Sequence, residues 1–112
     1  MTELRLKTSL WISAQIRLCD VLFVPAVVAR RGDSDAGQVM VLRNLLNGRF
    51  ELFARATDLD GGRVWRRASG PNPVEYDDAR KIIAREAEFD PDIWVLEVED
   101  RYGKYELDAP VI

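Results

Sequence analysis

The sequence predicts an α+β domain: a mainly antiparallel sheet of about five to six strands with two helices packed on one face. Three observations carry this. Two stretches, 10–23 and 73–89, repeat apolar residues at helical spacing, while the runs between and after them alternate as strands do. The order is helix, about four strands, helix, then a hairpin, without the regular βαβ alternation that builds a parallel sheet. Asn47-Gly48 between two alternating runs marks an antiparallel hairpin, because both residues accept the positive φ that a tight turn needs. The chain, at 112 residues, fits one domain spanning 1–112.

Leu4 to Lys7 reads as a short strand. Thr8 and Ser9 are N-cap residue types, and a helix follows from Leu10 to Phe23. Ser13, Arg17 and Asp20 occupy a narrow arc, with Trp11, Ala14, Leu18, Val21 and Leu22 on the remainder. This helix is therefore expected to be buried on most of its surface. Pro25 opens an extended run, Ala26 to Arg31, closed by the turn-forming segment from Gly32 to Gly37. Gln38–Arg43 and Phe50–Arg55 make the hairpin. A two-residue loop would set Arg43 opposite Leu52; a longer loop is expected, letting Val39 and Val41 share a face with Phe50, Leu52 and Ala54. Asp58 to Gly62 is a turn, and Arg63 to Ala68 a short peripheral strand.

Asn72 is expected to cap the second helix, with Pro73 at its first position and Glu75 at its third. Glu75, Asp77 and Asp78 complement the helix dipole. Tyr76, Ala79, Ile83 and Ala87 form the buried stripe, flanked by Ile82 and Phe89. The helix stops at Asp90-Pro91, because the residue before proline leaves the helical region. A strand follows, with Trp94, Leu96 and Val98 on one face and Val95, Glu97 and Glu99 on the other. Trp94 is expected beneath the second helix, near Ile83 or Ala79. A turn near Tyr102-Gly103 leads to a returning strand, Lys104 to Leu107, and the last five residues are expected to fray.

Composition narrows the function. A hydrophobic fraction of 47% supports a packed core. No apolar run approaches the roughly 18 residues of a membrane span, and Val21–Ala29 is broken by Pro25. The start of the chain lacks a basic, then apolar, leader pattern, and Cys19 has no second thiol, so a cytoplasmic location is expected. There is no histidine, which excludes Ser-His-Asp and Cys-His catalysis and imidazole-ligated metals. The net charge of −3 hides an asymmetry: residues 1–70 carry 11 Lys or Arg against 7 Asp or Glu, residues 71–112 carry 5 against 12.

Two constellations carry candidate chemistry. Glu97 and Glu99 share a strand face and, helped by a neighbouring strand, offer a carboxylate pair for a divalent metal; a carboxylate-dependent metal enzyme is the alternative reading. Asp92 and Glu97 cannot join one site within the strand, since five residues span about 16 Å. Asp90 and Asp92 read as turn and capping residues. The second constellation is Arg30, Arg31, Arg63, Arg66 and Arg67, a phosphate-binding patch if their strands lie close, with Trp65 as a stacking surface. A pI near 5.0 argues against an obligate nucleic-acid binder and favours salt bridges to the acidic half. Cys19 reads as a buried small hydrophobe, Trp11 and Trp94 as core. The glycine-containing turns lack the Gly-Lys-Ser/Thr ending of a phosphate loop.

Three blocks carry a family resemblance: Lys7-Thr8-Ser9-Leu10-Trp11; Arg30-Arg31-Gly32-Asp33 with Ala36-Gly37; and, most specific, the block from Phe89 through Asp90-Pro91-Asp92-Ile93-Trp94 to Asp100. With them the chain resembles a small alphaproteobacterial family known only as domain of unknown function 1491. The resemblance spans nearly the whole chain, least well from Thr57 to Pro73. It implies a single-domain bacterial cytoplasmic protein and brings no catalytic or cofactor residues. The function expected is a non-enzymatic protein-interaction domain. Arg30, Arg31, Arg66, Arg67, Glu97 and Glu99 are its candidate partner-binding residues; Trp11, Trp94, Asp90 and Pro91 are structural. Its partner is a protein or a second copy. Neither a cofactor, a membrane nor nucleic acid is expected.

Overall fold

Apolar residues run almost unbroken along two segments, Val39-Met40-Val41-Leu42 and Trp94-Val95-Leu96, and every one of them is buried. Strands that bury both faces must lie at the centre of a sheet covered on both sides. The computed structural model, which describes residues 6–112, has that architecture. Its elements are α1 (Thr8–Val21), β1 (Ala26–Arg30), β2 (Val39–Asn44), β3 (Phe50–Thr57), β4 (Arg63–Arg67), α2 (Tyr76–Phe89) and β5 (Trp94–Glu99). The sheet order is β1-β5-β2-β3-β4. Pairing is antiparallel throughout, except that central β5 and β2 run parallel. The fold is thus α+β with a five-stranded mixed sheet.

The two helices do not share a face. Trp11, Ile12 and Cys19 of α1 pack with Val39, Val41, Phe53, Trp65, Trp94, Leu96 and Val98. Ala79 of α2, with Ile82, Ile83 and Ala87 beside it, packs on Met40, Leu42, Leu52, Ala54 and Val95. Each central strand therefore sends alternate side chains to different helices. Trp94 accordingly lies under α1, not beneath Ile83 or Ala79.

The hairpin loop is the longer kind, residues 45–49, with Leu46 and Gly48 at positive φ. Its register differs from the expected one: Leu42 faces Leu52 and Met40 faces Ala54, while Val41 faces Phe53. The expectation placed Val39 and Val41 on the wrong side, because Phe53 competes with Leu52 as an apolar partner. The α1 stripe is also narrower than expected. Leu10, Leu18 and Val21 are exposed, and only Thr8, Trp11, Ile12 and Cys19 are fully buried. Thr8 is the first helical residue, not a cap; its Oγ1 donates to the Gly37 carbonyl at 2.9 Å.

α2 begins at Tyr76, later than Asn72-Pro73 suggested, because Val74 exchanges two backbone hydrogen bonds with Phe50, at 2.7 and 2.8 Å, and extends the β3 edge. Tyr76 and Phe89 are exposed instead of belonging to the buried stripe or its flank. Leu6 and Lys7 carry no strand; the rest of the strand expected over Leu4–Lys7 lies outside the described residues. The turn at Arg101-Tyr102 is present with Gly103 at φ 69°, but no strand returns over Lys104–Leu107. There the buried Asp100 carboxylate accepts the backbone N–H groups of Lys104 and Tyr105, both at 2.9 Å. That grip bends the chain so that Tyr105 enters the α1-side core.

The final residues do not fray. Trp65 N–H donates to the Pro110 carbonyl at 2.8 Å, Ile112 N–H donates to the Trp65 carbonyl at 2.9 Å, and Val111 bridges Trp65 in parallel. The C-terminal segment thus covers the outer edge of β4.

Close packing at one loop makes a sharp prediction. A Cβ on Gly32 would fall inside the Asp92 carbonyl, and Gly37 meets the same carbonyl. Gly32→Ala is expected to destabilise the protein by about 1–3 kcal/mol, the cost of forcing atoms into a packed site. Chemical denaturation measures it; an unchanged midpoint would show that the loop yields freely.

Candidate functional site

The residues singled out from the sequence occupy separate places. Arg30 and Arg31 sit at the end of β1, whereas Arg66 and Arg67 lie on β4, the opposite sheet edge. Four strand spacings, roughly 19 Å, separate the pairs, so no single arginine patch forms. Arg66 pairs with Glu86 of α2 at 3.5 Å, and Arg67 pairs with Glu51 at 3.1 Å across the other face. Arg30 Nη2 donates to the Pro91 carbonyl at 3.0 Å, and the Arg31 guanidinium lies 5.3 Å from the Trp94 ring centroid.

Glu97 and Glu99 share a face of β5, the face toward α2. Glu97 is half-buried between Val27 of β1 and Leu42 of β2, and Glu99 is exposed. Among the described residues no three Cys, Asp or Glu side chains come close enough to hold a metal ion. Cys19 is fully buried, and burial, with the Asp100 charge adding to it, pushes its thiol up to about 11. A thiol so protonated is no nucleophile at neutral pH. Tyr105 is equally buried; its hydroxyl donates to Gln15 Oε1 at 2.7 Å, and burial raises its phenol.

The three sequence blocks converge on the loop from Gly32 to Gly37. Asp33 N–H donates to the Asp92 carbonyl at 3.0 Å, and Trp94 Nε1 donates to the Asp33 carbonyl at 2.7 Å. Thr8 and Ser9 N–H groups donate to the Asp35 and Ser34 carbonyls at 3.2 and 2.9 Å. The first-turn donors of α1 are thus satisfied by this loop, and Asp33 Oδ2 holds the loop by accepting the Ala36 N–H at 2.9 Å. The Asp-Pro-Asp turn ends α2 and aims the Asp92 carbonyl at the two glycines. These motif residues are scaffold.

Beside that scaffold lies a group of residues that the sequence did not single out together. Arg55 projects from β3 on the α1 face, its guanidinium carbon 4.4 Å from the Trp11 ring centroid and 5.8 Å from that of Trp65. Trp11 Nε1 and Trp65 Nε1 donate to the two oxygens of Asp108, at 2.9 and 3.0 Å. Arg63 Nη1 pairs with Asp108 Oδ2 at 3.3 Å. Burial would raise the Asp108 carboxyl, but the two indole hydrogen bonds and the Arg63 and Arg55 charges outweigh it and hold the carboxyl below its ordinary value. Burial, with Arg63 nearby, pushes Arg55 down to about 10, against the pull of Asp108. A pocket of about 740 Å³ opens here, lined by Thr8, Trp11, Gln38, Arg55 and Arg63 among others. One sequence signal was available: Arg55 follows Phe53 on the apolar face of its strand, where a charge is costly unless used.

The last feature is a sheet edge that the described residues leave open. Among them β1 pairs only with β5, its Val27 and Val28 are 59% and 38% exposed, and Phe23 just before it is 89% exposed. Phe23 holds φ 58°, the left-handed position that glycine normally fills at a helix end. Among the described residues no helix is long and apolar enough to cross a membrane.

The comparisons agree with this fold. Residues 6–108 match the family described as "Protein of unknown function (DUF1491)". A crystal structure of a DUF1491 family protein from Caulobacter crescentus CB15 is 38% identical with a TM-score of 0.84, covering 96% of this chain and 100% of that one. An NMR structure of a DUF1491 family protein from the same organism is 38% identical, with a TM-score of 0.81 and coverage of 98% and 99%. The solution structure of protein Atu0922 from A. tumefaciens is 28% identical with a TM-score of 0.74, covering 93% of this chain and 90% of that one. No curated protein matches the chain.

Proposed function

The chain belongs to the DUF1491 family, whose matched members carry no named function, and from that premise we propose a non-enzymatic protein-interaction domain that docks through the β1 edge. One observation carries the reading: of the two sheet edges, β4 is covered by the C-terminal segment, whereas β1 is left open by the described residues. Unpaired N–H and C=O groups on an apolar edge are a template for another strand, and proteins that do not use such an edge usually blunt it. A bulge between Val28 and Arg30 limits the regular edge to Ala26–Val28, so side chains must supply most of the contact.

The occupant that fits is a second copy. Arg30 and Arg31 stand at one end of the edge, with Glu97 and Glu99 beside the other, where Glu99 N–H donates to the Pro25 carbonyl at 2.8 Å. An antiparallel pairing about a two-fold axis sets the arginine end of each copy against the glutamate end of its partner. Val21, Phe23 and Val27, all more than half exposed, supply the apolar centre. Arg66 and Arg67, tied to Glu86 and Glu51 on the far edge, play no part.

Sedimentation velocity from low to high micromolar concentration tests this. A concentration-dependent dimer is expected, lost in Val28→Lys and weakened in Arg30→Glu. Phe23→Gly is expected to lose dimer while its monomer is no less stable, because glycine takes the left-handed position without the roughly 1 kcal/mol cost of a Cβ. A protein monomeric at every concentration overturns the proposal.

A further inference from the structure

We infer that the pocket between the start of α1 and the end of β3 binds a small organic anion, a carboxylate or phosphate group seated on Arg55. Arg55 lines the pocket; its Nε and Nη2 are buried and find no acceptor among the described residues, as is also true of Arg30 Nε and Arg43 Nε, so an anion would meet the guanidinium at its pocket-facing edge. Buried donors of this kind are normally paired, and an orphaned one needs an explanation. Asp108 is the nearby carboxylate that would be the obvious partner, but it accepts from other donors and not from Arg55. Oδ1 accepts from Trp65, and Oδ2 accepts from Trp11 and Arg63. The two tryptophans thus fix the carboxylate where it serves Arg63, while the Trp11 face holds the Arg55 guanidinium flat. A stacked guanidinium is pre-organised for the in-plane oxygens of a carboxylate or phosphate.

The charge balance agrees. Arg55 and Arg63 stand against one carboxylate, Asp108, and Asp35 on the rim pairs with Lys7 at 3.7 Å. Among these described groups the cations outnumber the carboxylate by one, and the next carboxylate, Asp58, is held by the Gly62 N–H at 2.7 Å at the pocket's edge. Thr8 and Gln38 add polar side chains to the lining, although the Thr8 hydroxyl already donates to Gly37. The cleft, about 740 Å³, is large enough to admit an organic body behind the anionic group. This site lies on the α1 face near β4, across the sheet from the β1 edge, and stands independently of self-association.

The test uses ¹⁵N-labelled protein at low ionic strength, titrated separately with inorganic phosphate and with citrate. Saturable shifts are expected at Thr8, Gly37, Gln38 and the Arg55 Nε–H resonance for at least one probe. Saturation by phosphate alone assigns a phosphate group, and saturation by citrate alone a carboxylate. Arg55→Gln should bind at least tenfold more weakly, whereas Arg66→Gln, whose partner is Glu86 on the other face, should change less than twofold. If Arg55→Gln does not fold, Arg63→Gln, expected to bind at least threefold more weakly, and the wild-type shift map decide. Absence of saturable shifts with both probes, shifts confined to surface arginines, or equal binding by both arginine variants overturns the inference.

Discussion

Trp94→Ala is expected to leave the protein unfolded or insoluble, with a loss of about 3–5 kcal/mol for a large core aromatic. That is much of the roughly 5–15 kcal/mol that holds a domain of this size together. The ring is 2% exposed and lies under α1 with Val39, Leu96 and Val98. Its indole N–H donates to the Asp33 carbonyl at 2.7 Å, and Arg31 covers its face. Removing it opens a cavity and orphans the acceptor in the loop that anchors α1. Glu99→Ala, at an exposed position on the same strand, should stay within about half a kcal/mol. Circular dichroism and urea denaturation of the two variants distinguish the outcomes. A folded Trp94→Ala protein with an unchanged midpoint would mean that its core contacts are dispensable.

Asp108→Asn should cost about 2–3 kcal/mol, within the usual range for charged hydrogen-bond acceptors. Asparagine keeps one acceptor for two indole donors and leaves Arg63 and Arg55 without a counter-charge. The pH dependence follows from the sign of the shift. The carboxyl is held below its ordinary value in the folded protein, so its stabilisation is complete above the unfolded pKa of about 3.9 and is lost as pH falls through the lowered folded value. The gap in unfolding free energy between wild type and Asp108→Asn is expected to be constant from about pH 7 to 5 and to close below about pH 4. A gap that persists unchanged in acid would assign the effect to shape, not charge.

Much of the secondary structure was legible because its signals are local. The Trp94–Val98 alternation, the acidic first turn at Asp77 and Asp78 and the Asn47-Gly48 hairpin all depend on neighbours in the chain. The layering was harder to read. Ile83 and Leu18 look equally apolar, and periodicity alone does not say which sheet face a helix covers. The informative signal was the unbroken run from Val39 to Leu42, since a strand apolar on both sides needs cover on both sides. Arg66 and Arg67 illustrate another gap: adjacent strand residues point to opposite faces, so a sequence cluster of charge is split by the pleat. The Trp11–Arg55–Trp65–Asp108 group was invisible because its members come from α1, β3, β4 and the C-terminal segment, and Asp108 looks like any surface acid. The C-terminal residues read as loose for the same reason, their bonds reaching back to Trp65, Trp11 and Arg63.

The central place of β5 has a consequence for how the chain acquires its structure. β1 and β2 are not paired with each other; both pair with a strand that is made last, and Val41 waits for Leu96. While a ribosome is still supplying residues, the β2–β3–β4 meander can form, but the middle of the sheet is an empty slot with two apolar strand edges facing it. Closing that slot requires contacts far apart in sequence, which slows folding, and open edges invite association in the meantime. A nascent chain ending before Trp94 is therefore expected to need a chaperone's shelter. The step that completes the sheet is the late insertion of one strand between two that are already waiting.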